Sequence, residues 1–312
     1  MAATRAALEA RERIVRGIRA YFAAEGFLEV STPARVRSPG QEVHLDAIPA
    51  DTDHWLITSP EYHLKRLVAR GLPRIFEIAR CWRAEESGPH HLTEFTMLEW
   101  YRAEQPLEVL AADCEALVRI AVEAAGRGPA AQGLAAPFAR TTVRELFAAH
   151  AGFPLAGDES AGALRAAAVK AGVAVGSATA WDDVFYQVFL DRLEPALARS
   201  GPTFVFDWPA PLGALARPHP ADARLVERFE LYAGGLELAN AFGELTDPVE
   251  QRRRFEAEAR ARAARGKAVY PVDEALLEAL PRMPPTAGIA LGLDRLIMLA
   301  LGAGDISAVV AF

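Results

Sequence analysis

The sequence contains only two cysteines in 312 residues, Cys81 and Cys114, so spacing supports neither a disulfide framework nor a cysteine-based zinc site. Cys81 falls inside a strand-like run and reads as a small core residue. There is no run of about 18 apolar residues, the length a membrane-spanning helix needs, and no signal peptide precedes the fold. These absences predict a soluble, cytoplasmic protein with no membrane partner. Positive charge is not in excess either: 34 Lys and Arg face 41 Asp and Glu, a net charge of −7. Nucleic acid is therefore disfavoured as the main partner, because neutralising phosphates needs clustered cations. The one basic run, Arg252 to Lys267, is interleaved with Glu256 and Glu258 and preceded by Glu250, and reads as a solvated helix with i,i+4 pairs. Repeats and low-complexity tails are missing. What remains is ordinary for a globular chain, 51% hydrophobic and 24% charged, and long enough to bury a large core.

Helical periodicity over residues 4–25 places Leu8, Ile14, Ile18 and Phe22 on one stripe, stopped by Gly26. Trp55–Thr58 reads as a short strand, and Pro60 opens a helix ending at Gly71. A further helix is expected from about Leu107 to Ala125. Residues 126–203 are rich in Ala, Gly and Pro, with helical patches at Val143–Ala149, Ala161–Ala171 and Trp181–Ala198. They read as a helical insertion with no catalytic grouping. Thr203–Trp208 returns to strand character, and Phe229–Leu245 reads as a strand pair turning at Gly234-Gly235. A last strand, Gly288–Leu291, leads into a helix from Asp294 to Leu301. Hairpins broken by helices, with few βαβ units, predict an α+β architecture built on an antiparallel sheet.

The most informative segment is a pair of strand-like runs, Arg74–Arg83 with Glu85 just beyond, and Glu94–Arg102. The polar stretch Glu86–Thr93 separates them, with Gly88 and Pro89 as breakers. Strand side chains alternate between faces, so Arg83 and Glu85 are expected on one face. Phe95, Met97, Glu99 and Tyr101 are expected on one face of the partner strand. A face mixing Arg, two Glu, Tyr and Phe is poor core, and a solvent-facing hairpin explains the charges but not Phe95 and Met97. Such a face suits a polyphosphate, a flat base and an ammonium group together.

This segment resembles motif 2 of the class II aminoacyl-tRNA synthetases of the lysyl type, where Phe-Arg-x-Glu is followed by Phe-Thr-Met-x-Glu-x-Tyr. Gly26–Pro33 resembles motif 1 of that family, and Gly288–Leu296 resembles motif 3. The three occur in the family's order, and the resemblance runs from about Arg11 to the C-terminus. It implies one catalytic domain over residues 1–312, with an antiparallel sheet flanked by helices, and a two-fold homodimer formed through motif 1 and the helix before it.

The resemblance also implies ATP and Mg²⁺ as cofactors, and roles for particular residues. Arg83 would grip the substrate carboxylate and the α-phosphate, a task suited to a planar fork. Glu85 would read the adenine amino group, His91 would lie near the terminal phosphates, and Phe95 would stack on adenine. Arg295 would neutralise ATP from the first turn of a helix, and Gly292 would allow close backbone approach. Glu230 and Glu237 would hold Mg²⁺, and Leu238 would touch ATP through its backbone. Asn240 would bond the substrate carboxylate. In the strand carrying Asn240, Phe242 and Glu244, Glu237 has the wrong parity, and a bulge near Ala239 would reconcile it. Ser59, Pro60 and Glu61 match the segment that binds the α-amino group, and Glu99, Tyr101 and Glu244 match the pocket for a distal ammonium. Several carboxylates around one small ligand imply a cationic substrate, because an unpaired buried charge is costly.

Within this family the chain is most similar to the freestanding paralogues that attach lysine or β-lysine to a lysine of elongation factor P. Only one helix precedes motif 1, so no anticodon-binding domain is expected and tRNA is not an expected partner. Ala290 stands where lysyl-tRNA synthetases have Gly and those paralogues have Ala. Leu92-Thr93 departs from the family's Asn-Pro, and His90 is unusual. Two other readings remain open at this level: a truncated synthetase-like enzyme charging tRNA or making free adenylate, and a non-catalytic regulatory paralogue.

Overall fold

The computed structural model describes residues 3–127, 133–177 and 180–311. The first part of the chain forms α1 (Arg5–Ala24), β1 (Leu28–Glu29), β2 (Arg35–Val36), β3 (Trp55–Leu56) and α2 (Glu61–Val68). The expected hairpin follows as β4 (Arg74–Trp82) and β5 (Glu94–Ala103), then α3 (Glu108–Ala124). The middle holds β6 (Ala139–Thr142), α4 (Val143–Leu146), α5 (Ala161–Lys170), α6 (Trp181–Val188), α7 (Glu194–Arg199) and β7 (Thr203–Pro209). The last part runs through β8 (Pro218–His219), β9 (Asp222–Ala233), β10 (Leu236–Gly243), α8 (Pro248–Ala264), α9 (Glu274–Ala279), β11 (Thr286–Gly292) and α10 (Leu293–Leu301). Two single π-helical turns, Phe147–Ala151 and Phe189–Leu193, extend α4 and α6, so the amphipathic stretch from Trp181 is not one regular helix.

Among the described residues, nine strands form one sheet in the order β1-β4-β5-β11-β10-β9-β7-β6, with β8 added beside β9. Its centre is antiparallel as the sequence predicts, but β1 pairs parallel with β4 and β6 pairs parallel with β7. The sheet is therefore mixed, with both parallel pairs at its edges. The class of fold is α+β.

Period-two alternation then divides the sheet into two chemically different faces. On β5, Leu98 and Trp100 point into the main apolar cluster, as do Ile289 and Leu291 of β11 and Ala239 and Ala241 of β10. Helices α1, α3 and α10 cover that face. Thr4 caps α1 by accepting from the Ala7 N–H. Ile14, Ile18 and Phe22 are fully buried in this cluster, and the Phe22 ring stacks on Phe76 at 4.4 Å between centroids. The stripe expected to meet a second subunit is thus consumed by the chain's own sheet, because a β-sheet with one apolar face has to be covered.

The opposite face stays polar and open. It carries Glu99 and Tyr101 of β5, Asn240 of β10, Ala290 of β11 and Glu230 of β9. The basic run expected to be solvated lies on α8, with Arg253 and Arg254 both paired to Glu250. Arg262 departs from that expectation. It is fully buried and stacks over Tyr270, and it donates to the Glu42 and Leu45 carbonyls, each at 2.7 Å. One face of α8 therefore straps the loop between β2 and β3 to the body of the protein.

Candidate active site

The polar face of the sheet is the floor of a cleft of about 470 Å³. Of the residues singled out in the sequence, all but Glu85 and Pro60 line it. Pro60 occupies the cap of α2, where its carbonyl accepts from the His63 and Leu64 N–H groups. Glu85 is exposed and has φ of 65°, beyond the end of β4. The alternation that would have placed it beside Arg83 ends with the strand at Trp82, so the shared face expected for Arg83 and Glu85 is not realised.

Arg83 begins the loop after β4, held by its N–H to the Thr93 carbonyl at 2.9 Å. Its guanidinium lies over the Phe95 ring at 5.1 Å. Glu86 is 3.7 Å from Nη1, while Nε is buried with no hydrogen-bond partner among the described residues. A half-buried arginine with an unused donor is an anion site in waiting. Across the cleft Arg295 projects from the first turn of α10. It donates to the Glu237 carbonyl at 2.8 Å and to the His90 carbonyl at 3.2 Å. It also contacts Nε2 of His91. Arginine can only donate, so His91 accepts there as a neutral ring. Its pKa is lowered by burial and by the Arg295 charge, in agreement.

Gly292, at the cap of α10, faces the same space. A Cβ there would meet only Arg295, at an ordinary 3.5 Å, so packing within the chain does not call for glycine. Asp294, next to Arg295, borders the cleft, but its carboxylate is taken up within the chain. It accepts from the Thr96 N–H at 2.7 Å and pairs with Arg11 of α1 at 2.6 Å. This fixes the start of α10 against β5.

The bulge expected on β10 is present. Glu237 pairs with Tyr232 but Ala239 pairs with Leu231, so Leu238 is the extra residue. Glu237 and Asn240 both face the cleft as a result. Glu230 is more engaged than the sequence implied. It bonds to Arg228 and to the Tyr232 hydroxyl, and its pKa is pushed up to about 7 by burial and by the Glu237 charge. Two neighbouring carboxylates facing one cleft are suited to a hard divalent cation, although Arg228 already shares the site. Arg228 also donates to Asn240 Oδ1 at 3.1 Å and to the Leu212 carbonyl at 2.8 Å, which fixes the asparagine.

The deep end of the cleft is crowded with carboxylates. Lys65 Nζ lies 2.5 Å from Glu61 Oε1 and 2.6 Å from Glu244 Oε2. Glu99 bonds to the Ser59 hydroxyl and receives the Tyr101 hydroxyl at 3.5 Å. Burial and the Glu61 charge hold Glu99 well above the usual carboxylate range. Burial raises Glu244 to about 8, opposed by Lys65 and reinforced by Glu61. Burial would lower Lys65, but Glu244 and Glu61 outweigh it and keep the ammonium charged. One lysine among three carboxylates, two of them holding protons more tightly than usual, leaves groups that ionise readily when a cationic ligand is bound. Gly288 is needed here: a Cβ would run into Glu244 and Tyr101.

Several lining residues carry no sequence signal that would have found them. Lys65 looks like any helix lysine, and Glu42 like any loop glutamate. The middle of the chain, expected to hold no functional grouping, supplies Asp182, Tyr186, Phe189 and Glu194 to the cleft wall. The amphipathic pattern from Trp181 was visible, but not that its polar edge meets the sheet.

A two-motif hairpin, a strand-to-helix arginine and a carboxylate-rich pocket on one antiparallel floor describe a class of enzyme. Residues 2–312 match the family of tRNA synthetases class II (D, K and N), and the chain belongs to it. A curated relative, the elongation factor P–(R)-β-lysine ligase of Erwinia tasmaniensis, is 41% identical over 97% of this chain and 93% of its own. Among the described residues, no helix is long and apolar enough to cross a membrane.

Proposed function

We propose that this chain is an ATP-dependent ligase that activates a lysine-type diamino acid and passes it to a lysine side chain of elongation factor P. The observation that carries the substrate class is the group Glu61, Glu99 and Glu244 around Lys65, three carboxylates against one ammonium, whose capacity to ionise fits a small ligand bearing two ammonium groups. The acceptor and the β-lysine preference are supported by the 41% identical ligase and by Ala290.

In the first step a carboxylate oxygen of the amino acid attacks the α-phosphorus of ATP, and the bond to pyrophosphate breaks. In the second the acceptor amine attacks the acyl carbon and AMP leaves. Arg83, with its unused Nε donor, holds the carboxylate and α-phosphate and neutralises charge gathering there. Phe95 and Arg295 bracket the adenine, His91 lies towards the terminal phosphates, and the backbone at Leu238 and Gly292 borders the nucleotide. Glu237 and Glu230 would hold Mg²⁺, which supplies charge neutralisation to the phosphates. Asn240, fixed by Arg228, orients the substrate carboxylate. Glu61 takes the amine nearest that carboxylate, and Glu99, Tyr101 and Glu244 take the distal one.

The chain works as one catalytic unit in the cytoplasm and as a homodimer. Since Ile14, Ile18 and Phe22 are buried, the dimer uses another part of motif 1, where Leu28 is 52% exposed on the edge strand β1. A monomeric mass by light scattering at micromolar concentration contradicts this.

The deciding experiment is incubation with ATP and either α-lysine or β-lysine, with elongation factor P or tRNA as acceptor, followed by intact mass. The expected result is a lysyl mass increment on the protein. An increment on tRNA alone, or none, overturns the assignment.

A further inference from the structure

Glu42 stands apart from the residues considered so far. It lies in the loop between β2 and β3, lines the cleft, and carries a buried Oε2 with no hydrogen-bond partner among the described residues. Its backbone is held at several points. Arg262 donates to its carbonyl at 2.7 Å, the next residue's N–H donates to Glu258 at 3.0 Å, and the preceding Gln41 donates to the Pro271 carbonyl at 2.9 Å. Space for the carboxylate is also built in. Gly40 adopts φ of 142°, and a Cβ there would fall 2.6 Å from Glu42 Oε2. A loop this firmly strapped does not leave a carboxylate buried and unpaired by accident of mobility, since each such group costs stability.

Its neighbours identify what it faces. Burial, then the charge of Glu61, raise its pKa, while Arg83 lowers it. Arg83, assigned to the substrate carboxylate, and Glu61, assigned to the nearby amine, line the same cleft as Glu42, and both charges act on it, as does that of Glu258. Those two roles concern the end of a diamino acid where the 2-amino and 3-amino isomers differ.

We infer that Glu42 is a second carboxylate for the ammonium nearest the substrate's carboxyl group, acting beside Glu61 and setting which isomer the cleft prefers. This rests on the proposed activation of a lysine-type substrate. A single carboxylate would accept the amine in one position. Two carboxylates on different elements, α2 and the β2–β3 loop, discriminate positions one carbon apart, because an amine satisfying one geometry leaves the other oxygen unpaired.

The test is amino-acid-dependent ATP–pyrophosphate exchange with α-lysine and β-lysine for the wild type, Glu42→Gln and Glu42→Asp. Glu42→Gln should raise KM for the preferred isomer by about tenfold or more and move the kcat/KM ratio between isomers by a similar factor. The KM for ATP should stay within about twofold, as expected when nucleotide contacts are untouched. Glu42→Asp keeps the charge and should fall between the two, and it carries the test if Glu42→Gln does not fold. An unchanged isomer ratio in both variants, or KM for ATP rising in step with that for the amino acid, overturns the inference. Exchange absent in the wild type with either isomer instead overturns the underlying activity.

Discussion

Lys65 and Glu244 form an ion pair at 2.6 Å in which both side chains are sealed from solvent. Of the chain's lysines, Lys65, Lys170 and Lys267, only Lys65 is buried. A compact ammonium on a flexible stem can reach Glu61 and Glu244 at once, which the wider guanidinium fork of arginine does less well. Lys65 thus stands in for part of the positive charge the pocket requires, and leaves the rest to the ligand. Above pH 8, where Glu244 is ionised, Lys65→Met should destabilise the empty protein by about 3–5 kcal/mol, the range for stripping one partner from a buried pair. Saturating lysine should restore part of the loss by binding the exposed carboxylates. Denaturant unfolding with and without lysine checks both points, and equal stability of variant and wild type contradicts them.

Glu244 also gives the ligand-free protein a pH signature. Its folded-state pKa of about 8 lies above its ordinary 4.5, so the native state holds a proton that the unfolded chain has lost. The stability from this group is fully present below pH 4.5 and is lost as pH rises through 8. Glu244→Gln should remove that fall, seen as a flatter melting temperature between pH 5 and 8 than in the wild type. Binding a cationic substrate needs the carboxylate, so KM for the amino acid should fall as pH rises towards 8. Parallel stability profiles in the two proteins would discount the shift.

Arg83 is the cleft's arginine with an unsatisfied buried donor. Arg83→Ala should lower amino-acid-dependent pyrophosphate exchange by roughly 10²-fold or more, through lost stabilisation of transition-state charge. The fold should survive, since the side chain has only the 3.7 Å contact to Glu86 and the stack on Phe95 to lose. Near-wild-type exchange would remove Arg83 from the chemistry.

Ala290 and Gly288 point to the same face of β11 but have different neighbours. Ala290 pairs with Asn240 and Glu99, whereas Gly288 lies against Glu244 and Tyr101. The methyl of Ala290 therefore sits between the asparagine and Glu99, while Gly288 is the position beside Glu244. Ala290→Gly should improve α-lysine relative to β-lysine by about tenfold to a hundredfold, the scale of one pocket methyl, and leave ATP affinity nearly unchanged. Identical isomer ratios, measured as kcat/KM in the two proteins, would make Ala290 a packing residue only.

The hairpin, the β10 bulge and the α10 arginine were legible because each depends on short-range rules: alternation, parity and a strand-to-helix junction. Phe95, Glu99 and Tyr101 shared a face because they share a strand. Glu85 was misplaced because parity was carried three residues past the last ladder pair, Trp82 with Glu94. Glu42, Lys65 and Tyr186 were invisible for a different reason. Each reaches the cleft from an element whose own pattern is unremarkable, and only the tertiary packing of α2, α6 and the β2–β3 loop brings them there. The burial of the α1 stripe could not be separated from a dimer face, since an apolar stripe reads the same whichever surface covers it.

Strand β11 is the last strand among the described residues yet occupies the middle of the sheet, bonded to β5 on one side and β10 on the other. Before residues 286–292 are made, Glu99 and Asn240 belong to two separate half-sheets, each with an open edge. Without residues 286–292 the cleft has no continuous floor, and Glu99 and Asn240 are not held together. One strand thus carries the join between two halves of the sheet, and a chain interrupted upstream of Thr286 would leave the edges of β5 and β10 bare.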